Sequence, residues 1–109
     1  MTRLTSEIWV SAYLTRCQLA TIPAFVVRKG DATAGAVIIK LNTLDGHAVS
    51  YQRSVDILSG ERKWVVLVEG DEAEVDASIT SQKGFDPDLW VIEVEDRAGR
   101  HLLDEPGLE

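Results

Sequence analysis

Phe85-Asp86-Pro87-Asp88-Leu89-Trp90-Val91-Ile92-Glu93-Val94-Glu95-Asp96 holds a turn, an aromatic anchor and an alternating strand in one run. Pro87 crowds Asp86 out of the helical region, so no helix runs through the pair. Its fixed φ suits the second position of a type I turn, and Asp86 suits the first because its carboxylate can accept the backbone N–H groups that follow. From Leu89 onward Trp90, Ile92 and Val94 point one way and Val91, Glu93 and Glu95 the other, the period of a half-buried strand with one core face and one wet face. Gly99 then permits a reversal, His101-Leu102-Leu103 can return briefly alongside, and a short flexible tail is expected near residues 104–109.

Working outward, Leu4-Thr5-Ser6-Glu7 carries the signals of a helix start, with Thr5 as N-cap, Glu7 near the positive end of the dipole, and Leu4 and Trp9 placed for a hydrophobic staple. Ile8, Trp9, Ala12, Tyr13, Cys17 and Ala20 recur at helical spacing, and Pro23 ends the element, giving a helix from about Ser6 to Thr21. Ala24 to Arg28 reads as a strand, Lys29-Gly30-Asp31 as a turn, and Ala36 to Ile39 as a central strand paired back in a hairpin. Asp45-Gly46 favours positive φ, so His47 to Arg53 should form a third strand, and Trp64 to Val68 a fourth. Asp71 and Glu74 resemble a capping box for a second helix, Gly84 offers a C-terminal cap, and Glu72, Glu74, Asp76 and Lys83 read as its solvated face. The expectation is a single α+β domain over residues 1–109, in the order α-β-β-β-β-α-β. Its sheet of about five strands is a largely antiparallel meander, with both helices on one side.

The Phe85 to Glu93 run, together with Glu7-Ile8-Trp9-Val10 and Arg28-Lys29-Gly30-Asp31, resembles a family of short stand-alone bacterial proteins of unknown function marked by a Phe-Asp-Pro-Asp-Leu-Trp motif. The resemblance covers nearly the whole chain. It implies relatives and supplies no catalytic residues.

Composition narrows the classes further. The chain has 109 residues, 45% of them hydrophobic and 27% charged, ordinary for a globular domain. Cys17 is the one cysteine, which excludes an internal disulfide and suits a reducing, cytoplasmic compartment. There is no basic segment followed by an apolar run and no long apolar stretch, so neither a signal peptide nor a membrane span is expected. A net charge of −7 argues against nucleic acid and anionic lipid as partners.

Each catalytic signature falls short. Gly30 and Gly35 have P-loop spacing, but Ala36 and Val37 replace the Lys and Ser/Thr that phosphates and magnesium require, and a strand follows. His47 and His101 lie in no metal-ligand spacing, and no Gly-x-Ser-x-Gly elbow accompanies them. Cys17 falls on the buried stripe, where a small core residue is the simpler account. Asp86, Asp88, Glu93 and Glu95 are oxygen donors dense enough to be weighed as magnesium or calcium ligands, although turn formation accounts for the first two. The same turn could accept an Arg28 or Arg53 guanidinium through its carboxylates and pin the second helix to the last strand. Trp9, Trp64 and Trp90 are core by periodicity and interaction anchors if exposed.

The residues therefore describe an uncharacterised small cytoplasmic binding or interaction module without catalysis, its partner an unknown protein or a second copy. The alternative is a divalent-metal- or small-ligand-dependent activity centred on Asp86 and Asp88. No cofactor is specified.

Overall fold

Thr5 opens the first helix as its position requires: its hydroxyl accepts the N–H of Ile8 at 3.3 Å. The computed structural model describes residues 4–109, so residues 1–3 of the expected domain lie outside the described residues. Helix α1 spans Ser6–Leu19 and is followed by strands β1 (Ala24–Arg28), β2 (Val37–Asn42), β3 (His47–Val55) and β4 (Arg62–Asp71), helix α2 (Glu72–Phe85) and strand β5 (Trp90–Glu95). This is the expected α-β-β-β-β-α-β order. The first helix stops at Leu19, short of Thr21, because Thr21 adopts a left-handed φ of 60° just before Pro23.

The sheet is mixed, and the meander expectation is corrected. Its order is β1-β5-β2-β3-β4, with β5 antiparallel to β1 and parallel to β2. Only β2, β3 and β4 form an antiparallel meander. Strand β1 does not form a hairpin with β2. The 29–36 connection instead straddles the start of β5: Asp31 donates its backbone N–H to the Asp88 carbonyl at 3.0 Å, and the Trp90 indole N–H donates to the Asp31 carbonyl at 2.7 Å. Spanning one intervening strand means crossing roughly 9–10 Å, well within the reach of that connection.

Insertion at the centre also changes the faces. The supposed wet side of β5 is covered, since Val91 is as buried as Trp90 and Ile92. Trp9, Tyr13 and Cys17 of α1 pack with Ile39, Leu41, Trp90, Ile92 and Val94. Val75 and Ile79 of α2 pack with Ile38, Ala48, Leu89 and Val91. Alternate residues of the same strands thus serve the two helices, which lie on opposite faces and not together on one. A helix of this length is marginal alone, and each large side chain it buries contributes on the order of 2 kcal/mol. The stripe Trp9, Tyr13, Cys17 therefore holds α1 in place, while Ile8 remains exposed.

The Asp-Pro turn follows its local chemistry, and four other local expectations do not hold. Asp86 Oδ1 accepts the Asp88 N–H at 2.9 Å and the Asp86 carbonyl accepts the Leu89 N–H at 3.3 Å, closing the Asp-Pro turn. Gly84, however, lies inside α2, which ends only where Pro87 forces Asp86 into extended backbone. Asp71 makes no side-chain capping bond, and the Glu72 N–H is satisfied by the Gly46 carbonyl at 2.9 Å. After β5 the His101-Leu102-Leu103 segment is irregular and runs into a turn at Leu103, without forming a strand. Residues 104–109, read from sequence as a loose tail, pack back onto the body: Leu108 is 1% exposed and its carbonyl accepts the Trp64 indole N–H at 2.7 Å.

Candidate functional site

Lys40 sits on central strand β2 and is only 4% exposed. A buried ammonium persists only when paired. Its Nζ lies 2.6 Å from Asp76 Oδ1, 2.8 Å from Glu72 Oε2 and 3.3 Å from Glu93 Oε1. Glu72 and Asp76 are four residues apart on α2 and so share one helix face, while Glu93 is the direct register partner of Lys40 on β5. Asn42 adds N–H donors to Glu72 Oε2 at 3.0 Å and Glu93 Oε2 at 3.4 Å. Burial pulls the Lys40 pKa down, but the three carboxylates outweigh it and hold the group above the usual lysine range. The acidic face of α2, expected to be solvated, is thus partly turned inward to clamp the helix to the sheet.

Beside this cluster the sheet is uncovered. Helix α2 packs over β2, β3 and β4, and its Val75 and Ile79 reach Val91 of β5, leaving β1 open on that side. The result is a groove of about 270 Å³ whose walls include Val27, Asp76, Ile79, Val91 and Glu93. Strand β1 bounds it and is an edge strand. Phe25, Val26 and Val27 are 45%, 40% and 50% exposed.

Of the acidic residues read from sequence as metal ligands, Asp86 and Asp88 build the turn before β5, whereas Glu93 faces Lys40 and Glu95 ends the strand. At roughly 3.3 Å per residue, Asp88 and Glu93 stand about 16 Å apart, so the four do not converge. Among the described residues no group of three His, Cys, Asp or Glu side chains is placed to share a metal ion. Trp9 and Trp90 are each 3% exposed, so neither offers a surface anchor, and Trp64 is half-buried with its N–H on Leu108. His47 faces Glu69 at 3.1 Å, and His101 accepts the Leu103 N–H at 3.0 Å. Cys17 is fully buried, and burial raises its thiol pKa.

Arg28 does pin the Asp-Pro turn, through carbonyls and not carboxylates. Its guanidinium donates to the backbone oxygens of Asp86 and Pro87, both at 3.1 Å, and to Lys83 at 3.5 Å. A cation at a helix C-terminus satisfies its unpaired carbonyls and its dipole. Sequence reasoning missed Lys40 and the β1 edge. The available signals were a lysine inside an apolar run and the Glu72/Asp76 spacing; the openness of β1 had none, because it depends on strand order.

The comparisons with known proteins agree with this geometry. A family model described as "Protein of unknown function (DUF1491)" matches residues 4–104. A crystal structure of a DUF1491 family protein from Caulobacter crescentus CB15 is 42% identical, covers 95% of this chain and 98% of its own, and superposes with a TM-score of 0.87. An NMR structure of a DUF1491 family protein from the same organism gives 41% identity, 97% coverage of each chain and a TM-score of 0.83. A solution structure from A. tumefaciens gives 30% identity, 86% coverage of each chain and a TM-score of 0.74. No curated protein matches significantly.

Proposed function

We propose, from the premise that this chain belongs to the DUF1491 family of proteins of unknown function, that it is a small binding module whose β1 edge accepts an extended segment of another protein as an added strand. One observation carries this reading: three consecutive apolar residues, Phe25, Val26 and Val27, stand exposed on an edge strand. Edge strands are ordinarily protected by charge, proline or a bulge turned outward, because their free N–H and C=O groups template further pairing. Here no charge falls between Ala24 and Val27, and the one irregularity in the pairing of β1 with β5 lies at the end of the strand, between Val26 and Arg28. Main-chain bonds along the edge would supply affinity, and the groove beside Val27 would take alternate side chains. A net charge of −7 on each copy opposes self-pairing, which favours a different chain as the occupant.

The lone buried Cys17 supports placing the module in a reducing compartment, the cytoplasm. The sources of the solved relatives support a bacterial origin. Among the described residues no helix is long and apolar enough to cross a membrane.

A displayed library of random short peptides, selected on the intact protein and counter-screened on Val27→Asp, tests the docking role. Enriched sequences should alternate apolar residues and protect the β1 amides from hydrogen exchange. Enrichment indifferent to Val27→Asp, or none, would remove the reading. Light scattering that shows a dimer abolished by Val27→Asp would instead assign the edge to a second copy.

A further inference from the structure

Among the described residues, strand β4 is paired to β3 alone and forms the far edge of the sheet. Its sequence does not suit a margin. Trp64 to Val68 is an unbroken apolar run, the pattern of an interior strand, yet none of the ten residues of β4 is fully buried. All six residues of β2 are. Trp64 leans on one core cluster and Leu67 and Val68 on the other, while Val66 stays 52% exposed.

The two ends of the strand carry opposite charges. Arg62 and Lys63 begin it, Glu69 and Asp71 finish it, and no charge falls between them. Lys63, Glu69 and Asp71 are exposed, and the Asp71 carboxylate makes no capping bond to α2. Laid antiparallel on a copy of itself about an axis between Val66 and Leu67, β4 sets Arg62 opposite Asp71 and Val65 opposite Val68. This register also keeps the faces in step. The bulge leaves Leu67 without a partner on β3 and reverses the alternation beyond it, so Arg62, Trp64 and Val66 share a face with Glu69 and Asp71. Arg62 of one copy thus meets Asp71 of the other directly and Glu69 on the diagonal. A bulge ordinarily discourages pairing at an edge, but here it falls on the axis, where each copy matches the other's.

We propose that β4 is a self-recognition edge through which two copies of this chain, antiparallel and two-fold related, join their sheets into one. Its outward N–H and C=O groups supply the template that any edge strand offers. Opposite charges across a strand pair attract and like charges repel, so the two ends fix direction and register together. A parallel pairing would set Arg62 and Lys63 against their own copies. The general repulsion between two chains of net charge −7 is spread over the surface and screened beyond about 8 Å at physiological ionic strength, whereas the facing pairs lie in contact. Between Ala24 and Val27 no charge stands to offset that repulsion. The β4 edge lies across the sheet from β1 and uses none of its residues.

Sedimentation of the intact chain at graded concentrations tests the edge. Wild type should be a dimer at roughly 100 μM, an affinity within reach of one strand pair, and should remain one in Val27→Asp. Arg62→Glu/Lys63→Glu and Glu69→Lys/Asp71→Lys each bring like charges together across the axis, and each should associate at least about tenfold more weakly. Mixed in equal amounts, the two should form a heterodimer, which no loss of folding can produce. Asp71→Lys alone, at an exposed position, should show the same weakening if either double variant does not fold. A wild type that stays monomeric to millimolar concentration would overturn the proposal, as would a dimer lost in Val27→Asp. So would association unchanged in Arg62→Glu/Lys63→Glu or Asp71→Lys, or folded double variants that fail to pair on mixing.

Discussion

Lys40 on β2 and Asp76 on α2 meet at 2.6 Å, an ion pair that fastens helix to sheet from the inside. Removing the lysine would leave Glu72, Asp76 and Glu93 facing one another without a cation. Lys40→Met should therefore destabilise the fold by about 2–3 kcal/mol, below the value for a fully buried pair because Glu72 and Asp76 keep part of their hydration. Urea unfolding of the variant and wild type measures the difference. Adding Glu72→Gln, Asp76→Asn and Glu93→Gln to Lys40→Met should recover part of it.

Alkaline pH acts on the same residue. The folded-state pKa of Lys40 is raised, so its contribution is complete below the unfolded value of about 10.4 and declines as the pH climbs toward the folded value. Tyr13, buried and raised in pKa chiefly by desolvation, works in the same direction because the unfolded phenol ionises first, from about pH 10. Stability measured at closely spaced pH values should fall above this range, and the slope should lessen in Lys40→Met. A slope identical in the variant would show that the lysine does not contribute.

Gly30 and Gly84 should respond to alanine with opposite signs. A Cβ at Gly30 would run into the Asp88 carbonyl and come within 2.6 Å of Trp90 Cδ1, so Gly30→Ala should cost about 2–3 kcal/mol by overpacking. Gly84 lies within α2 with open space where an alanine methyl would stand, and Gly84→Ala should gain about 0.5–1 kcal/mol from helix propensity. Thermal melts of the two variants decide both.

Trp64 ties down the C-terminal residues through its indole N–H on the Leu108 carbonyl. Trp64→Phe keeps most of the ring and loses that bond, at a cost of about 1 kcal/mol. Hydrogen exchange should quicken over residues 104–109 while the α2 amides stay protected. Unchanged exchange at the C-terminus would mean that packing of Leu108 alone secures it.

Several features are legible from local chemistry. Thr5 caps α1, the Asp86-Pro87 turn launches β5, and the spacing of Trp9, Tyr13 and Cys17 picks out the buried face of α1, because each depends on residues within about two helical turns or one β-turn. Arg28 does reach the turn, although its partners are carbonyls, which every residue carries and no sequence pattern marks.

Sequence by itself thus determined the order of elements, most of their ends and the absence of the familiar catalytic signatures. The tertiary structure alone decided that β5 enters between β1 and β2, and the arrangement of the surface follows from that insertion. It covers both faces of β5, sends the helices to opposite sides, turns Glu72 and Asp76 toward Lys40 and leaves β1 at an open edge. Hairpin formation is favoured by short loops, but β5, which buries Trp90, Ile92 and Val94 on one face and Val91 with the Lys40-paired Glu93 on the other, gains more inside the sheet than at its margin. That preference is settled by contacts between residues far apart in the chain, where local propensity has no influence.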